Sequence, residues 1–227
     1  MRLFNSLMAM GALGVSATSN QALKETAVKS RYSNVKKDNF EYDGYFSEGE
    51  FRSGKRIRFD AKGQVDIIEK GSFQNNEFIK GVKTYANGGI DQGSFLNGGL
   101  HGSECLRIYP DRRIEEGVFL DNVFVEGTLT YPDGRISDGE FEKGNVIKGI
   151  KKFPNGGIDR GDFINGKLDG NHCERLFPDG TKEEGVFKYN EFISGIRTYP
   201  NGGLDMGNFK NGQLQGWNNS RIYSNGT

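Results

Sequence analysis

From residue 40 onward, apolar and polar positions follow a pattern that is built around the tripeptide Gly-x-Phe. Eight copies follow one another at spacings of 22 to 27 residues. Because side chains alternate between the two faces of a strand, the glycine and the phenylalanine of each copy lie on the same face. The pattern therefore predicts strands that share one aromatic face. The copies begin at Gly44, Gly71, Gly93, Gly117, Gly139, Gly161, Gly185 and Gly207.

Each tripeptide opens a longer unit with a second glycine nine or ten residues later, then an aromatic residue and a turn such as PDGR or PNGG. About 22 residues accommodate two short strands and two turns, so each unit is predicted to be one β-hairpin. Asn-Gly and Asp-Gly pairs supply the positive φ angles that tight hairpin turns need. The second glycines are Gly54, Gly81, Gly102, Gly127, Gly149, Gly170, Gly195 and Gly216, and the aromatics after them are Phe59, Tyr85, Tyr109, Tyr131, Phe153, Phe177, Tyr199 and Tyr223.

These units predict an all-β fold, an elongated and twisted single antiparallel sheet of about eight stacked hairpins over residues 40–227. Eight hairpins would extend on the order of 75 Å at the usual strand spacing. Each first glycine is expected to leave room for a ring from a neighbouring strand. The sixteen repeat aromatics are expected to form one ladder. Where the two glycines of a unit are nine residues apart, the second strand is expected to be longer, as in the unit whose second strand is GSECLRIYP.

The first 39 residues differ from the repeats. Residues 1–17, MRLFNSLMAMGALGVSA, join one basic residue, Arg2, to an apolar run that ends in small residues, which is typical of a secretory signal. The lack of acids before Glu25 also suits a mitochondrial transit peptide, and a plain tail is the third interpretation. Residues 18–39 are polar and are predicted to be a linker. The expected location is the secretory pathway, secreted or periplasmic, for a signal peptide, and mitochondrial or cytoplasmic otherwise.

The charges balance, with 30 Lys and Arg against 30 Asp and Glu. No global basic field would gather nucleic acid, so nucleic acid is not predicted as a partner. His101 and His172 occupy different registers of their units, which argues against a metal site or a catalytic pair. We therefore predict no catalytic residue, no metal and no cofactor.

Cys105 and Cys173 lie twelve residues after the first glycine of their units and should point to the same face. Three units separate them, roughly 28 Å at the usual strand spacing, whereas a disulfide spans Cα separations up to about 7 Å. We predict no bond between them. The sequence Glu-Glu-Gly occurs at Glu115–Gly117 and at Glu183–Gly185, and these carboxylates are predicted to lie on a solvated edge.

Units such as DGEFEKGNVIKGIKKFPNGG resemble MORN (membrane occupation and recognition nexus) repeats. That family has a unit of this length, a Gly-x-Phe/Trp start and a Tyr-x-Asp/Asn-Gly end. The resemblance covers residues 40–227 and implies an elongated antiparallel sheet. The family usually carries a tyrosine two residues before the first glycine, which only Tyr42 retains here, and its Gly-x-Gly is reduced to one glycine. The repeats are therefore divergent.

Eight units of scaffold without a reactive constellation predict a non-enzymatic structural protein that presents an extended β-surface to an unknown protein partner. The family name raises a second interpretation, a peripheral module that binds anionic phospholipid. The basic run RSGKRIR would supply that contact weakly, through Arg52, Lys55, Arg56 and Arg58. A third interpretation is an accessory repeat subunit of an enzyme complex.

The chain ends just after a predicted strand, whose free edge is open to pairing with another chain. The single tryptophan, Trp217, aligns with Ser103 and Asn171 of earlier units. It is interpreted either as a cap on the last ladder ring or, with Tyr223, as an interface. The interface interpretation predicts a homodimer through the C-terminal edge.

Overall fold

The structure, a computed structural model, describes residues 30–217 and 219–224. These residues form strands and turns with no helix, and so no helix long and apolar enough to cross a membrane occurs among them. The strands are β1 (Ser30–Lys37), β2 (Phe40–Ser47), β3 (Glu50–Phe59), β4 (Val65–Gln74), β5 (Glu77–Tyr85), β6 (Ile90–Leu96), β7 (Gly99–Leu100), β8 (Gly102–Ile108), β9 (Ile114–Leu120), β10 (Val123–Thr130), β11 (Ile136–Glu142), β12 (Asn145–Lys152), β13 (Ile158–Ile164), β14 (Lys167–Leu168), β15 (Gly170–Leu176), β16 (Lys182–Lys188), β17 (Glu191–Thr198), β18 (Leu204–Lys210), β19 (Gln213–Leu214) and β20 (Ser220–Ile222).

All twenty strands belong to one open sheet in which neighbours along the chain are antiparallel neighbours in space. This confirms the predicted hairpin array. The array begins earlier than expected, because β1 pairs with β2, with Ser30 opposite Phe46. The predicted linker, residues 18–39, therefore contributes a strand from Ser30 to Lys37. The predicted presequence, residues 1–17, lies outside the described residues.

Each of the eight repeat hairpins closes through two residues that both have positive φ, the backbone of a type I′ turn. In the third hairpin these are Asn97 and Gly98, with φ of 50° and 81°. This turn matches the right-handed twist of the flanking strands, and Asn and Gly adopt it at low cost. The corresponding pairs are Glu48 and Gly49, Asn75 and Asn76, Asp121 and Asn122, Lys143 and Gly144, Asn165 and Gly166, Tyr189 and Asn190, and Asn211 and Gly212.

The units with the closer glycine pair do have more residues after the turn, but their second strand is interrupted rather than longer. In the third hairpin both β7 and β8 pair with β6, and His101 lies at the break between them. The sixth and eighth hairpins are built the same way, with β14 and β15 on β13, and β19 and β20 on β18. The extra residues thus lie at a break in the second strand, and the residues on both sides of the break keep their pairing with the first strand.

The core is a single row of side chains on one face, here called the phenylalanine row. Ring centres of neighbours along it are 4.6–5.3 Å apart, for example 4.6 Å between Phe51 and Phe73. The row alternates between the Gly-x-Phe residue of one strand and the second residue after the two-residue turn. Its members are Phe46, Phe51, Phe73, Phe78, Phe95, Leu100, Phe119, Phe124, Phe141, Val146, Phe163, Leu168, Phe187, Phe192 and Phe209, with Leu214 packed at the end.

The predicted ladder of sixteen aromatics was therefore wrong in half of its members. The aromatics before the turns, such as Tyr85 and Tyr199, are only partly buried and lie outside this row. Their places in the row are taken by residues such as Phe51, Phe78 and Leu100, which stand two positions after the turn glycine or asparagine. The reason is register, since the turn geometry places the first inward side chain of the returning strand opposite the Gly-x-Phe ring.

Next to the phenylalanine row runs a glycine row, in which glycines of neighbouring strands face one another. Gly71, for example, pairs with Gly54 on one side and Gly81 on the other. A Cβ at Gly71 would lie 2.0 Å from the Lys80 carbonyl oxygen and 2.9 Å from the Gly81 Cα. At Gly44 the Phe51 ring is also close, at 3.0 Å, as predicted, but at Gly71 the nearest atoms are backbone. The glycines are required chiefly because the strands themselves approach closely here.

Candidate functional site

On the other side of the glycine row, the same face carries a third row, here called the charge row. It consists of the residues two positions before each first glycine from Gly71 onward, and of the residues two positions after each glycine-row position of the second strands. Acids and bases alternate along it, strand by strand, with one interruption. In spatial order its members are Arg56, Glu69, Lys83, Asp91, Arg107, Glu115, Leu129, Ser137, Lys151, Asp159, Arg175, Glu183, Arg197, Asp205 and Arg221.

The acids of this row are buried, and each of them except Glu115 forms an ion pair with a base of the row. Asp91, of which 2 % is exposed, accepts two hydrogen bonds from the Arg107 guanidinium at 2.8 and 2.9 Å. Asp159 and Arg175 repeat this geometry at 2.7 and 2.8 Å. Such bidentate contacts fix orientation as well as charge. Because an unpaired buried carboxylate is costly, each of these paired acids makes the base on a neighbouring strand necessary.

The bases also cover the phenylalanine row. Arg56 lies 4.6 Å from the ring centre of Phe73 and donates to the Asn76 carbonyl at 2.6 Å. Lys83 lies 4.8 Å from the ring centre of Phe95 and donates to the Gly98 carbonyl at 2.9 Å. These long side chains cross the glycine row, where no Cβ blocks their path, and end on the next hairpin turn. A single sheet thereby buries its own aromatic core, with cation–π contacts in place of a second layer.

Burial and pairing shift the pKa values along the row. Burial lowers the pKa of Lys83, although Glu69 beside it acts in the opposite direction. Burial also raises the pKa of Glu115, and the hydrogen bond from Tyr109 acts in the opposite direction. The hydrogen bond from Arg221 lowers the pKa of Asp205. The row is thus held by charged, hydrogen-bonded pairs, and its acids are engaged in structure.

The prediction that the Glu-Glu-Gly carboxylates lie on a solvated edge is wrong for the first glutamate of each pair. Glu115 and Glu183 are members of the charge row, with 5 % and 3 % of their surface exposed. The second glutamates, Glu116 and Glu184, are exposed on the opposite face. Strand alternation places the two carboxylates of each pair on opposite faces. The sequence signal for the row was the acid that recurs two residues before six of the eight Gly-x-Phe glycines.

The four basic residues predicted to contact lipid lie on one strand, β3, and three are paired. Arg56 is a charge-row member that binds Glu69 at 2.6 Å, and only 12 % of its side chain is exposed. Arg56 is therefore removed as a lipid contact. Arg52 pairs with Glu50 at 2.8 Å and Arg58 with Asp66 at 2.7 Å. Lys55, on the opposite face, lies across from Asp43 on β2 and Lys70 on β4.

The C-terminal residues predicted to form an interface are both exposed. Trp217 is 92 % exposed between β19 and β20, and Tyr223 is 57 % exposed just after β20. Trp217 does not cover the last row members, so the cap interpretation does not describe its position. Leu214 packs there instead. Strand β20 pairs with β18 alone among the described strands.

Cys105 and Cys173 are buried and free, which confirms that they do not form a disulfide. They substitute for glycine in the glycine row, and the Sγ of Cys105 would lie 2.6 Å from a Cβ at Gly93. Burial raises the pKa of the Cys173 thiol.

His101 lies 3.4 Å from Asp121, and His172 is exposed on β15. Within residues 30–217 and 219–224, no cluster of histidine, cysteine and acidic side chains is arranged to hold a metal ion.

The geometry of these rows defines the class of protein: the chain is a β-hairpin repeat protein with a continuous single-sheet core. No protein-family model matches the chain, and no curated protein matches its sequence.

Proposed function

We propose that this protein is a non-enzymatic scaffold of the MORN type, whose sheet presents one long face to a protein partner. The observation that supports the proposal is a row of mainly aliphatic residues, here called the outer stripe, on the face opposite the core. Its members are Ile57, Ile68, Thr84, Ile90, Ile108, Ile114, Thr130, Ile136, Lys152, Ile158, Leu176, Lys182, Thr198, Leu204 and Ile222.

The outer stripe is continuous because each member faces the next across a strand boundary, as Ile108 faces Ile90 and Ile114. Its residues are half-buried, except for the exposed Lys152 and Ile222, and no second layer of the described chain lies over them. The adjacent row on this face mixes charged residues, such as Lys70, Glu116 and Asp138, with aliphatic ones, such as Val82 and Ile150. An apolar centre with a polar rim is the usual anatomy of a protein interface.

The stripe favours a partner with an elongated apolar surface of its own. Side chains from β3 to β20 are spread along the whole sheet, so contact is distributed over many hairpins rather than concentrated in a pocket. The basic residues Lys152 and Lys182 interrupt the stripe in its second half. Lys182 is already bound by Glu174 and Glu184, at 3.0 and 2.9 Å, so Lys152 is the position where an acidic group of the partner would pair and would fix the direction in which the partner lies.

The test replaces Ile68, Ile108 and Ile158 with lysine, a residue that the stripe already carries at two positions. The matched control adds three lysines at Ser72, Gln74 and Gln92, which are exposed on the same face outside the stripe. Both variants are first compared with the wild type by circular dichroism and thermal melting. Each is then used for affinity capture from cells that express the protein, followed by calorimetry with the purified partner.

We expect a partner that binds the wild type and the control variant but loses most of its affinity for the stripe variant. The scaffold proposal is rejected if no captured protein depends on the stripe. It is also rejected if the control and stripe variants lose the partner equally, because charge rather than the stripe would then be responsible.

A further inference from the structure

The charge row is interrupted once, between hairpins four and five. Leu129 on β10 occupies a position where a base would continue the alternation, and Ser137 on β11 occupies the next position, where an acid would. Both are buried, at 2 % and 5 % exposed. The interruption divides the row into a first part that ends in an acid, Glu115, and a second part that begins with a base, Lys151.

The second part of the row has one base more than it has acids. Its acids are each bound by the base that follows: Asp159 by Arg175, Glu183 by Arg197 and Asp205 by Arg221. The base left over is Lys151. Among the described residues no carboxylate lies within ion-pair distance of its ammonium group, which donates to the Gly166 carbonyl and lies 4.7 Å from the centre of the Phe163 ring.

Lys83 provides an internal comparison. It lies over Phe95 at 4.8 Å and donates to the Gly98 carbonyl, as Lys151 does with Phe163 and Gly166. Lys83 has in addition a carboxylate, Glu69, at 3.4 Å from the preceding first strand. Ser137 holds the position that corresponds to Glu69. The two sites therefore differ in this acid and in the residue beyond it, because Leu129 replaces Arg56, which also binds Glu69.

A cavity of about 210 Å³ adjoins this position, lined by Ser137, Lys151, Tyr131, Arg135 and Asp159 among others. The Ser137 hydroxyl makes no hydrogen bond within the described residues and is free to donate. Burial lowers the pKa of Lys151, whereas the charge of Asp159 acts to raise it. A larger cleft of about 410 Å³ lies beside Arg197, but that base is already bound to Glu183.

We propose that this cavity binds a carboxylate group, which completes the charge row in place of the absent acid. Lys151 supplies the positive charge and the Ser137 hydroxyl a second hydrogen bond, as required for a carboxylate that leaves water. The group comes either from a free small acid or from an acidic side chain of another protein. The site lies on the face opposite the outer stripe, so the proposal is independent of the scaffold function.

The experiment follows the Lys151 side-chain signals by NMR in protein with isotopically labelled lysine, assigned with the Lys151→Gln variant. One arm adds succinate against sodium chloride of equal ionic strength. The other adds a short peptide with blocked ends and one central glutamate, against the same peptide with glutamine. Ser137→Glu recreates the Lys83–Glu69 arrangement and should occupy the site intramolecularly. Ser72→Glu adds the same charge at an exposed position and serves as its control.

We expect saturable shifts of the Lys151 signals with succinate or with the glutamate peptide, and the arm that responds identifies the source. In Ser137→Glu the affinity should fall by at least about tenfold, the effect of losing a charge-assisted contact. Ser72→Glu should bind as the wild type does. The proposal is overturned if neither arm shifts Lys151 beyond the chloride and glutamine controls, or if Ser137→Glu binds as tightly as Ser72→Glu. Thermal melting confirms that each variant is folded.

Discussion

The guanidinium of Arg221 holds the Asp205 carboxylate at both oxygens, with distances of 2.6 and 2.7 Å. Asp205 is 1 % exposed, so the partner of a fully buried charge is contributed by the last, three-residue strand of the sheet. Tyr199 donates a further hydrogen bond to this carboxylate at 2.9 Å. The edge strand is therefore attached to the sheet by electrostatics as much as by its short backbone ladder.

Removal of the Arg221 guanidinium should loosen this end of the sheet. Arg221→Gln leaves the buried carboxylate with the hydrogen bond from Tyr199 alone, and the unfolding free energy should fall by more than it does when a surface pair is removed, because a buried carboxylate that loses its charged partner is costly. Arg52→Gln, which removes a surface pair with Glu50, should cost less than about 1 kcal/mol. Urea denaturation of both variants measures the difference. Equal losses would show that the Arg221 pair acts as an ordinary surface contact.

The charge row also predicts how stability depends on pH. The hydrogen bond from Arg221 lowers the pKa of Asp205 below its ordinary value of 3.8. The contribution of Asp205 to the unfolding free energy is complete above this ordinary pKa and is lost as the pH falls through the lowered pKa. Burial raises the pKa of Glu115 above 4.5, so its contribution has the opposite sign and is lost as the pH rises through the raised pKa.

We therefore expect Asp205→Asn to flatten the acid side of the stability profile below pH 3.8. Glu115→Gln should instead gain stability relative to the wild type as the pH rises above 4.5. Denaturation curves at a series of pH values test both slopes. A Glu115→Gln variant whose stability relative to the wild type falls over that range would contradict the sign.

A side chain in the glycine row should be tolerated poorly. At Gly127 a Cβ would lie 2.2 Å from the Glu116 carbonyl oxygen and 2.8 Å from the Gly117 Cα, and φ is +131°. Gly63 has φ of +77° with no atom within 4 Å of its Cβ position, so alanine there adds conformational strain alone. Gly63→Ala should cost about 1–2 kcal/mol, and Gly127→Ala should cost clearly more. Thermal melts that rank the two variants the other way would show that the strands separate easily.

Trp217 is expected to act in association rather than in stability. Because 92 % of its surface is exposed, Trp217→Ser should change the melting temperature of the monomer little. If the C-terminal edge forms the predicted homodimer, the substitution should shift the protein toward monomer in light scattering. A wild-type protein that is already monomeric at high concentration would exclude this role.

Binding to anionic vesicles through the basic run should be weak or undetectable. Arg52, Arg56 and Arg58 are each within 2.6 to 2.8 Å of a carboxylate, so this stretch presents little net positive charge. Co-sedimentation with phosphatidylserine vesicles at low and raised salt measures the interaction. Salt-sensitive binding that is lost when Arg52, Lys55 and Arg58 are replaced by glutamine would restore the lipid interpretation.

The sequence by itself determined the repeat, the hairpin and the turns, because these depend on local backbone preferences. Gly-x-Phe at a regular spacing and Asn-Gly between short strands specify their conformation within a few residues. The spacing between the two glycines of a unit, nine residues in some and ten in others, likewise marked the hairpins whose second strand differs from the rest. The absence of a disulfide followed from strand spacing alone.

Tertiary structure decided which residues face one another across strands. The phenylalanine row pairs Phe46 with Phe51 rather than with the aromatic before the next turn, because turn geometry sets the register. Burial of Glu69 depends on Arg56, a base on another hairpin that binds this carboxylate and crosses the glycine row to the turn carbonyl of Asn76. The gap at Ser137 becomes meaningful only beside Lys151, since a serine in place of an acid has no visible consequence until the neighbouring strand supplies the unpaired charge.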